Sequence, residues 1–297
     1  METNPHEVCF HHDDLDGHCS AAIVRSRCGA RCVSVNYKDP FPFDEIYDAN
    51  GIWIVDFSLG EDTTGGWEEL FRVVDSTDAK INITWIDHHK TAIELAENNE
   101  RVDKLAGLRG ADTPAACELT WQYLYANRLT PHAVALIGDY DTFEFKYGSD
   151  TRDFHVGVEA LYDTRPENDD LWYEFLVEDE EWMWRKICDI GRDLRAQQVI
   201  TDAERMKGYS YPVEFFTYKA VAINTHQRGS TQFESVIGDY ELLLPYVHDG
   251  NVWTVGVYRG GKGEHIDCSE LAELFGGGGH PGAAGFTCRS LPFGGKP

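Results

Sequence analysis

The sequence predicts an α/β protein with an N-terminal doubly wound parallel sheet, a helical connection and a smaller second domain. Three observations support this prediction. Short apolar runs alternate with helical patterns through the first half of the chain. A polar stretch and a long helical segment then follow, and strand-like runs return only after about residue 209. The length of 297 residues suits two domains of roughly 100–200 residues each.

The first domain is expected to contain four short buried strands. They are the apolar or β-branched runs at 8–10, 33–35, 52–55 and 81–86. Such short, nearly continuous apolar runs are typical of parallel strands that are covered on both faces. Helical patterns at 20–27 and 67–74 lie between them. A further helix is predicted to run to about Asn127, with Thr113 as its capping hydroxyl and Pro114 at its first position.

The second half of the chain divides by composition. We predict a first domain over 1–160, a helical linker over 161–208 and a second domain over 209–297. Within the linker, residues 171–207 have the pattern of one continuous helix. Strand-like runs follow at 215–218, 221–223, 241–244 and 252–258, and a glycine-rich segment covers 276–286.

Charge and composition exclude several classes of protein. The chain has 26 Lys and Arg against 51 Asp and Glu, a formal charge of −25. This argues against tight binding to long duplex nucleic acid, where neutralisation of phosphates supplies most of the affinity. No apolar stretch approaches the roughly 18 residues of a membrane span. No secretory signal is expected, and eight cysteines without a CxxC pair are typical of reduced thiols. The protein is therefore expected to be cytoplasmic.

The first chemical motif is FHHDDLDG, directly after the first predicted strand. If the chain stays extended, His12, Asp14 and Asp16 project to one side, because strand side chains alternate with a period of two. One imidazole and two carboxylates form half of a site for Mn²⁺ or Mg²⁺. An acidic surface turn is the alternative interpretation of this cluster taken alone.

Acidic or histidine groups follow three more apolar runs. These groups are Asp56, then Asp87, His88 and His89, then Asp139 and Asp141. In a parallel sheet the carboxyl ends of the strands share one edge, where open α/β sheets bind ligands. Carboxylates packed there would raise one another's pKa, and divalent cations would relieve the repulsion. About six ligands suit two cations with a bridging carboxylate, an arrangement that promotes phosphoryl displacement.

The glycine run 276–279 with His280 is the other strong feature. Consecutive glycines let backbone N–H groups approach an anion closely, and His280 could add a donor to a phosphate. A flexible hinge is the alternative. Arg259 ends a strand-like run and has a planar, permanently charged side chain suited to phosphate, or is an ordinary surface arginine.

Together these motifs resemble the DHH phosphoesterase superfamily. The resemblance rests on Asp87-His88-His89 after a strand, with HxDxDG at 12–17 upstream and 276–280 with Ala-Ala-Gly at 283–285 downstream. The last part resembles the DHHA1 subtype, which includes RecJ exonucleases, nanoRNases and cyclic-di-AMP phosphodiesterases. The resemblance covers nearly the whole chain. It implies a DHH domain, a smaller mixed-sheet DHHA1 domain and an active site in the cleft between them.

The resemblance also implies two Mn²⁺ ions, with Mg²⁺ or Co²⁺ as substitutes. His12 and Asp14 would hold one ion, and Asp16 with His88 the other. Asp56 would bridge them, and Asp139 would complete the second site, with Asp141 either an alternative ligand or a group that supports the ligands. Several relatives place the first histidine four residues before the first Asp, where this chain has Phe10, so His11 stays an alternative to His12.

The other motif residues would contact the substrate. His89 would face its phosphate or orient the site, supported by Asp87. The implied substrate-binding set is Arg259, Gly277, Gly278, Gly279 and His280.

The predicted function is a Mn²⁺-dependent phosphodiesterase or exonuclease that hydrolyses short oligonucleotides, nanoRNA or short single-stranded DNA, to 5′-mononucleotides. The absence of the additional domains of processive RecJ enzymes and the charge of −25 both favour short substrates. Two alternatives are a phosphatase for 3′-phosphoadenosine 5′-phosphate (pAp) and a phosphodiesterase for cyclic or linear dinucleotides. A noncatalytic nucleotide-binding regulatory protein is the alternative from another class. A homodimer is expected by analogy alone, and the sequence leaves RNA or DNA preference and polarity open.

Overall fold

The computed structural model describes residues 4–37, 39–60, 66–77, 80–96, 98–110, 114–226 and 229–293. The chain divides into two compact units, Met1–Leu194 and Arg195–Pro297. The division falls within a long helix, and each unit is described by itself.

The first unit is built on a parallel sheet. Its strands are β1 (Asn4–His12), β2 (Ala30–Val35), β3 (Gly51–Val55) and β4 (Asn82–Ile86). They lie in the order β2-β1-β3-β4, and every pair is parallel. The helices are α1 (Leu15–Cys28), α2 (Gly66–Asp75), α3 (Lys90–Ala96), α4 (Glu100–Asp103), α5 (Ala116–Leu124), α6 (His132–Asp141), α7 (Ser149–Leu161), α8 (Asp169–Tyr173) and α9 (Glu181–Tyr209). A 3₁₀ segment covers Phe43–Ile46. The four predicted strands are confirmed.

Helices cover both faces of this sheet. Phe10 of β1 belongs to the same core cluster as Leu70 of α2, whereas the adjacent Cys9 belongs to a cluster with Ala21 of α1. This alternation follows from the period of two along a strand. The chain moves outward from β1 to β2 and then in the opposite direction from β3 to β4. The doubly wound sheet is thus confirmed, and its strand order reverses between β1 and β3, where such sheets bind ligands.

The helical predictions are confirmed only in part. Residues 171–207 are not one helix: α8 is followed by a π-helical turn at Glu174–Glu178 before α9 begins. Asp179 lies between them with φ of 42°, and its carboxylate accepts a hydrogen bond of 2.9 Å from the backbone N–H of His132. The break thus caps the start of α6. The predicted helix after Pro114 begins at Ala116 as α5, and Thr113 lies outside the described residues.

The second unit contains a mixed sheet. Its strands are β5 (Tyr211–Phe215), β6 (Tyr218–Asn224), β7 (Leu242–His248), β8 (Trp253–Arg259), β9 (Gly278–His280) and β10 (Ala283–Cys288), with helix α10 (Cys268–Glu273). The order is β5-β6-β7-β8-β10-β9, and among the described strands of this second sheet only β6 and β7 pair in parallel. Short 3₁₀ segments cover Thr231–Phe233 and Ile237–Asp239.

Two details of this sheet differ from the predictions. The strand predicted at 215–218 is wrong, because Phe216 has φ of 54° and lies in the turn between β5 and β6. No strand is predicted in the glycine run, but part of it forms the edge strand β9. Across the described ranges, no helix is both long and apolar enough to span a bilayer.

Candidate metal centre

Polar side chains gather at the carboxyl edge of the parallel sheet. His12 is the last residue of β1, Asp56 follows β3, and Asp87 follows β4. Because these strands are parallel, their ends meet at one edge, as the sequence predicted. Nε2 of His88 lies 3.5 Å from Oδ1 of Asp56, which joins the motifs of two neighbouring strands.

Three triads of potential ligand atoms occur among the described residues. In each triad the three atoms lie within 4.8 Å of one another. The triads are His12, Asp14 and Asp56; Asp16, His88 and Asp141; and Asp56, His88 and His89. Asp56 and His88 each belong to two triads, so the groups form one continuous cluster.

Asp14 is fixed at the start of α1. As the N-cap residue it accepts a hydrogen bond of 2.9 Å from the backbone N–H of Gly17, and its Oδ2 lies 2.6 Å from Nδ1 of His12. Residue 17 must be glycine here, because a Cβ atom would lie 2.2 Å from the carbonyl oxygen of His12. The predicted extended conformation therefore ends at Asp14.

Asp16 reaches the cluster from the first turn of α1 instead of from a strand. It is buried, and its two carboxylate oxygens accept hydrogen bonds of 3.0 and 2.9 Å from the backbone N–H groups of Ala116 and Cys117 at the start of α5. Its Oδ2 lies 3.9 Å from Nε2 of His88. These contacts hold the carboxylate in one orientation.

Asp56 occupies the centre of the cluster in an unusual backbone conformation. Its φ is 53°, a region that non-glycine residues rarely adopt and that often marks functional sites. The side chain is buried, and its Oδ2 has no hydrogen-bond partner in the described part of the chain. A buried carboxylate oxygen without a donor is energetically unfavourable unless a cation satisfies it.

Asp87 orients the two histidines that follow it. Its Oδ1 accepts hydrogen bonds from the backbone N–H groups of His88 and His89, at 2.8 and 3.1 Å. The same oxygen lies 2.7 Å from Nδ1 of His89. Asp87 is fully buried, and it belongs to none of the three triads of described residues.

The structure separates Asp139 from Asp141. Asp141 lies in the cluster, with Oδ2 3.2 Å from Nε2 of His88. Asp139 is buried elsewhere and accepts hydrogen bonds from the N–H groups of Lys146 and Tyr147, at 2.8 and 3.3 Å, and from the hydroxyl of Thr151. The apolar run before these residues is the helix α6 and not a strand, so positions two apart point about 200° apart. Only one of the two can face the cluster.

His11 points away from the cluster. Its ring lies 5.4 Å from that of His18, and its Nδ1 lies 2.8 Å from the carbonyl oxygen of His12. Burial lowers the pKa of His11 to about 4. Because neighbouring strand residues face opposite sides, His12 and His11 cannot both contribute, and His12 is the one that belongs to a triad.

Burial and mutual repulsion shift the pKa values of the carboxylates in the cluster. Burial, followed by the charges of Asp16 and Asp14, raises the pKa of Asp56 well above its ordinary value. Burial and the charge of Asp16 raise the pKa of Asp141 to about 7, and burial also raises that of Asp16. Burial opposes the ionisation of Asp14, but hydrogen bonds with His12 and Gly17 lower its pKa. Without added positive charge, the cluster resists full ionisation.

Tyr37 is a neighbour of the cluster that the sequence analysis missed. It follows β2, and its ring lies 5.5 Å from that of His12 and 6.2 Å from that of His89. Burial, and then the charges of Asp87 and Asp56, raise its pKa. Its position after a strand of the same sheet was the only signal in the sequence.

The remaining predicted site residues belong to the second unit. Gly278, Gly279 and His280 form the exposed edge strand β9, where Gly279 pairs with Ala284 and has φ of 144°. These glycines thus allow the chain to pack closely on itself. Gly277 lines a pocket of about 340 Å³ within this unit, against β8 and β10. The guanidinium Nε of Arg259 donates to the carbonyl oxygen of Ile266 at 2.5 Å.

Comparisons with known proteins place this arrangement in context. No protein-family model matches the chain. Uncharacterized protein R106 of Acanthamoeba polyphaga mimivirus is 27% identical over 213 residues, which cover 68% of this chain and 47% of the viral protein. The match thus spans about half the length of that relative.

Two solved structures share the fold. The DHH domain of a protein described as a member of a family of ribosomal proteins has a TM-score of 0.59 at 11% identity, over 94% of this chain and 82% of that one. The chain has the fold of the DHH-domain proteins. The pGpG-specific phosphodiesterase PggH of Vibrio cholerae also matches, with a TM-score of 0.50 at 10% identity, over 96% of this chain and 93% of PggH. In this DHH fold, the Asp87-His88-His89 sequence follows β4 at the edge of the sheet that carries the cluster.

Proposed function

We propose that the chain is a phosphodiesterase that hydrolyses short oligonucleotides to 5′-mononucleotides with two divalent cations, Mn²⁺ first among them. The observation that carries this proposal is the continuous cluster of three ligand triads, joined through Asp56 and His88. The likeness of the fold to that of a DHH-domain phosphodiesterase supports the same reaction class.

The residues present fit divalent cations. Carboxylate oxygens and imidazole nitrogens are the donors that Mn²⁺ accepts in proteins. The buried Oδ2 of Asp56 lacks a hydrogen-bond partner in the described residues, and burial, followed by the charges of Asp16 and Asp14, raises the pKa of Asp56. A cation would satisfy this oxygen and stabilise the ionised carboxylates together. An ordinary acidic surface turn would have no such buried, unpaired oxygen.

We assign the ligands by triad. His12 and Asp14 would hold one ion, and Asp16, His88 and Asp141 would hold the other, with Asp56 between them. Asp141 thus replaces Asp139 in the assignment made from the sequence. When bound, two such ions activate a water molecule and stabilise the charge of attacking and leaving oxygens in a phosphoryl displacement.

The other residues would orient the substrate. Asp87 holds Nδ1 of His89, which leaves its Nε2 to donate to or accept from a phosphate group. Gly277, Gly278, Gly279 and His280 would bind the nucleotide, together with the guanidinium of Arg259. The net charge of −25 disfavours long polyanions and therefore favours substrates of a few nucleotides.

A linear dinucleotide is the second candidate substrate. PggH is described as specific for pGpG, a linear dinucleotide and therefore an oligonucleotide of the shortest length. A chain that hydrolyses dinucleotides but no longer oligonucleotides would perform the same reaction on a narrower substrate range.

A product assay tests the proposal. The substrates are 5′-labelled RNA and DNA of two to twenty-four nucleotides, and pAp and cyclic dinucleotides are tested in parallel. Each is incubated with metal-free protein to which either Mn²⁺ or a chelator has been added. Two variants accompany it: Asp56→Asn in the cluster, and Asp75→Asn, an exposed carboxylate paired with Arg101 outside it. We expect Mn²⁺-dependent release of mononucleotides, fastest on the shortest oligomers, by the wild type and Asp75→Asn alone.

Other results would change the assignment. If only pAp or only cyclic dinucleotides were cleaved, the assignment of the metal centre would stand and the proposed substrate would change. Binding of nucleotides without hydrolysis of any of them would support the noncatalytic regulatory protein instead.

A further inference from the structure

The segment directly after Asp141 exposes an aromatic side chain. Phe143 is 71% exposed and has φ of 55°, and Phe145 has φ of 51°. Bulky residues rarely adopt positive φ, which is unfavourable unless the surroundings enforce it. We refer to residues 142–148 as the aromatic turn. The chain therefore maintains a strained backbone that places a large apolar ring in solvent.

A buried carboxylate holds this turn in place. Asp139 accepts hydrogen bonds from the backbone N–H groups of Lys146 and Tyr147, at 2.8 and 3.3 Å. Both acceptor oxygens are thus committed to the turn and to the Thr151 hydroxyl. The strain is offset by contacts from α6, whose last residue is the cluster member Asp141.

Aromatic rings and one guanidinium form a connected group behind Phe143. The ring of Phe143 lies 6.0 Å from that of Tyr140 and 5.8 Å from that of Phe145. Tyr140 stacks on His155 at 3.5 Å with 7° between the planes, and the guanidinium of Arg152 lies 4.1 Å from the centre of Phe145.

This group lies near the proposed metal centre. Phe143 is two residues from Asp141, and Tyr140, whose ring contacts that of Phe143, directly precedes Asp141 in α6. A core role is excluded for Phe143 by its exposure. Phe143 is therefore an exposed aromatic side chain two residues from a ligand of a site that binds phosphodiesters under the proposed function.

We propose that Phe143 is a substrate-binding residue on which a nucleobase of the short oligonucleotide stacks, with Asp139 as its positioning residue. The inference rests on the proposed function and adds a substrate contact to it. Every base has a π-face, so stacking holds a nucleotide without reading its sequence. This suits an enzyme that degrades short oligonucleotides of any composition.

The test compares substrates with and without bases. The substrates are the 5′-phosphorylated diadenylate pApA and two analogues in which an abasic tetrahydrofuran unit replaces one nucleoside at either position. The variants are Phe143→Ala, Phe143→Trp and Tyr47→Ala. Tyr47 is a matched control, because it is 63% exposed and precedes β3, at the opposite edge of the sheet from the cluster.

We expect Phe143→Ala to raise KM for pApA by about 5- to 100-fold, the range of one lost base stack, with little change in kcat. Phe143→Trp and Tyr47→Ala should keep the wild-type KM. On one of the two abasic analogues, wild type and Phe143→Ala should have the same KM, because the stacked base is then missing from both.

Three outcomes would overturn the inference. The first is an unchanged KM of Phe143→Ala for pApA, and the second is an equal loss on both abasic analogues. The third is a sedimentation coefficient of Phe143→Ala that differs from the wild type while KM does not. That result would make the aromatic turn a contact between copies of the chain. Absence of hydrolysis by the wild type would instead overturn the proposed function, and this inference with it.

Discussion

Oδ1 of Asp56 lies 3.5 Å from Nε2 of His88, and this pair joins the two halves of the ligand cluster. Asp56 follows β3 and His88 follows the neighbouring parallel strand β4. Both side chains are buried. A buried carboxylate and a histidine shared by two ligand triads are what a centre with a bridging ligand requires.

Substitution of Asp56 should separate folding from cation binding. Because the folded chain raises the pKa of Asp56 above its unfolded value, the ionised carboxylate destabilises the cation-free fold at neutral pH. Asn tolerates the positive φ of this position. Asp56→Asn should therefore melt at or above the wild-type temperature without metal. It should lose most of the Mn²⁺ stabilisation, which is about 2.7 kcal/mol at 100 times Kd for a single site.

Thermal unfolding with Mn²⁺ or chelator measures both effects. The control is Asp75→Asn, whose melting temperature should rise with Mn²⁺ as in the wild type. A full Mn²⁺ shift in Asp56→Asn would show that Asp56 is not a ligand.

Asp139 and Asp141 should respond oppositely to substitution. Asp139→Asn replaces an oxygen that accepts backbone N–H groups with an amide donor, so unfolding should become easier by about 1–3 kcal/mol. Mn²⁺ binding should remain. Asp141→Asn should be at least as stable as the wild type without metal, because folding raises the pKa of the Asp141 carboxyl. It should weaken Mn²⁺ binding, because the carboxylate lies 3.2 Å from His88. Denaturant unfolding and Mn²⁺ titration of both variants check this, and the reverse pattern would restore Asp139 as the ligand.

His280 offers a test of the predicted substrate-binding strand. His280→Ala should raise KM for short oligonucleotides by about 10- to 150-fold, the effect of one lost hydrogen bond to a charged group, and leave kcat nearly unchanged. His248→Ala, an exposed histidine of the same sheet, is the control. Steady-state kinetics on a labelled dinucleotide distinguishes the two parameters. A loss confined to kcat would contradict a role in binding.

His155 should make stability depend on pH. Burial lowers its pKa to about 4 from an ordinary 6.5, and the adjacent Glu159 is itself held toward its neutral form because burial raises its pKa. Between pH 6.5 and pH 4 the unfolded chain protonates His155 while the folded chain keeps it neutral. Lowering the pH through this range should therefore reduce the free energy of unfolding, by at most about 3 kcal/mol.

The variant His155→Gln isolates this effect. Its free energy of unfolding should fall less steeply than that of the wild type between pH 6.5 and pH 4. Urea unfolding at several pH values gives the two slopes. Equal slopes would mean that His155 does not change its protonation on unfolding.

The strands and most of the cluster could be predicted because a simple rule connects them. His12, Asp56 and His88 are located by the end of an apolar run in a parallel sheet. The sequence left the choice between His11 and His12 open, and the structure places His12 in a ligand triad. Asp139 and Asp141 could not be separated, because a short apolar run does not distinguish a strand from a buried helix. That distinction decides which of the two faces the cluster.

Other features depend on tertiary structure alone. Tyr37 has no motif around it and approaches the cluster only because β2 shares the sheet. The interruption before α9 depends on the contact of Asp179 with the distant backbone of His132. The turn in which Phe143 has a positive φ is held by hydrogen bonds that Asp139 accepts from residues seven and eight positions later. Local sequence patterns do not encode such contacts.

The central claim is that the cluster around Asp56 holds two divalent cations that the hydrolysis requires. A titration of metal-free protein with Mn²⁺, followed by the rate of pApA hydrolysis, tests it most directly. We predict a rate that rises until two ions are bound per chain and that stays at background for Asp56→Asn. Full activity in excess chelator, or an equal rate for Asp56→Asn, would contradict the account.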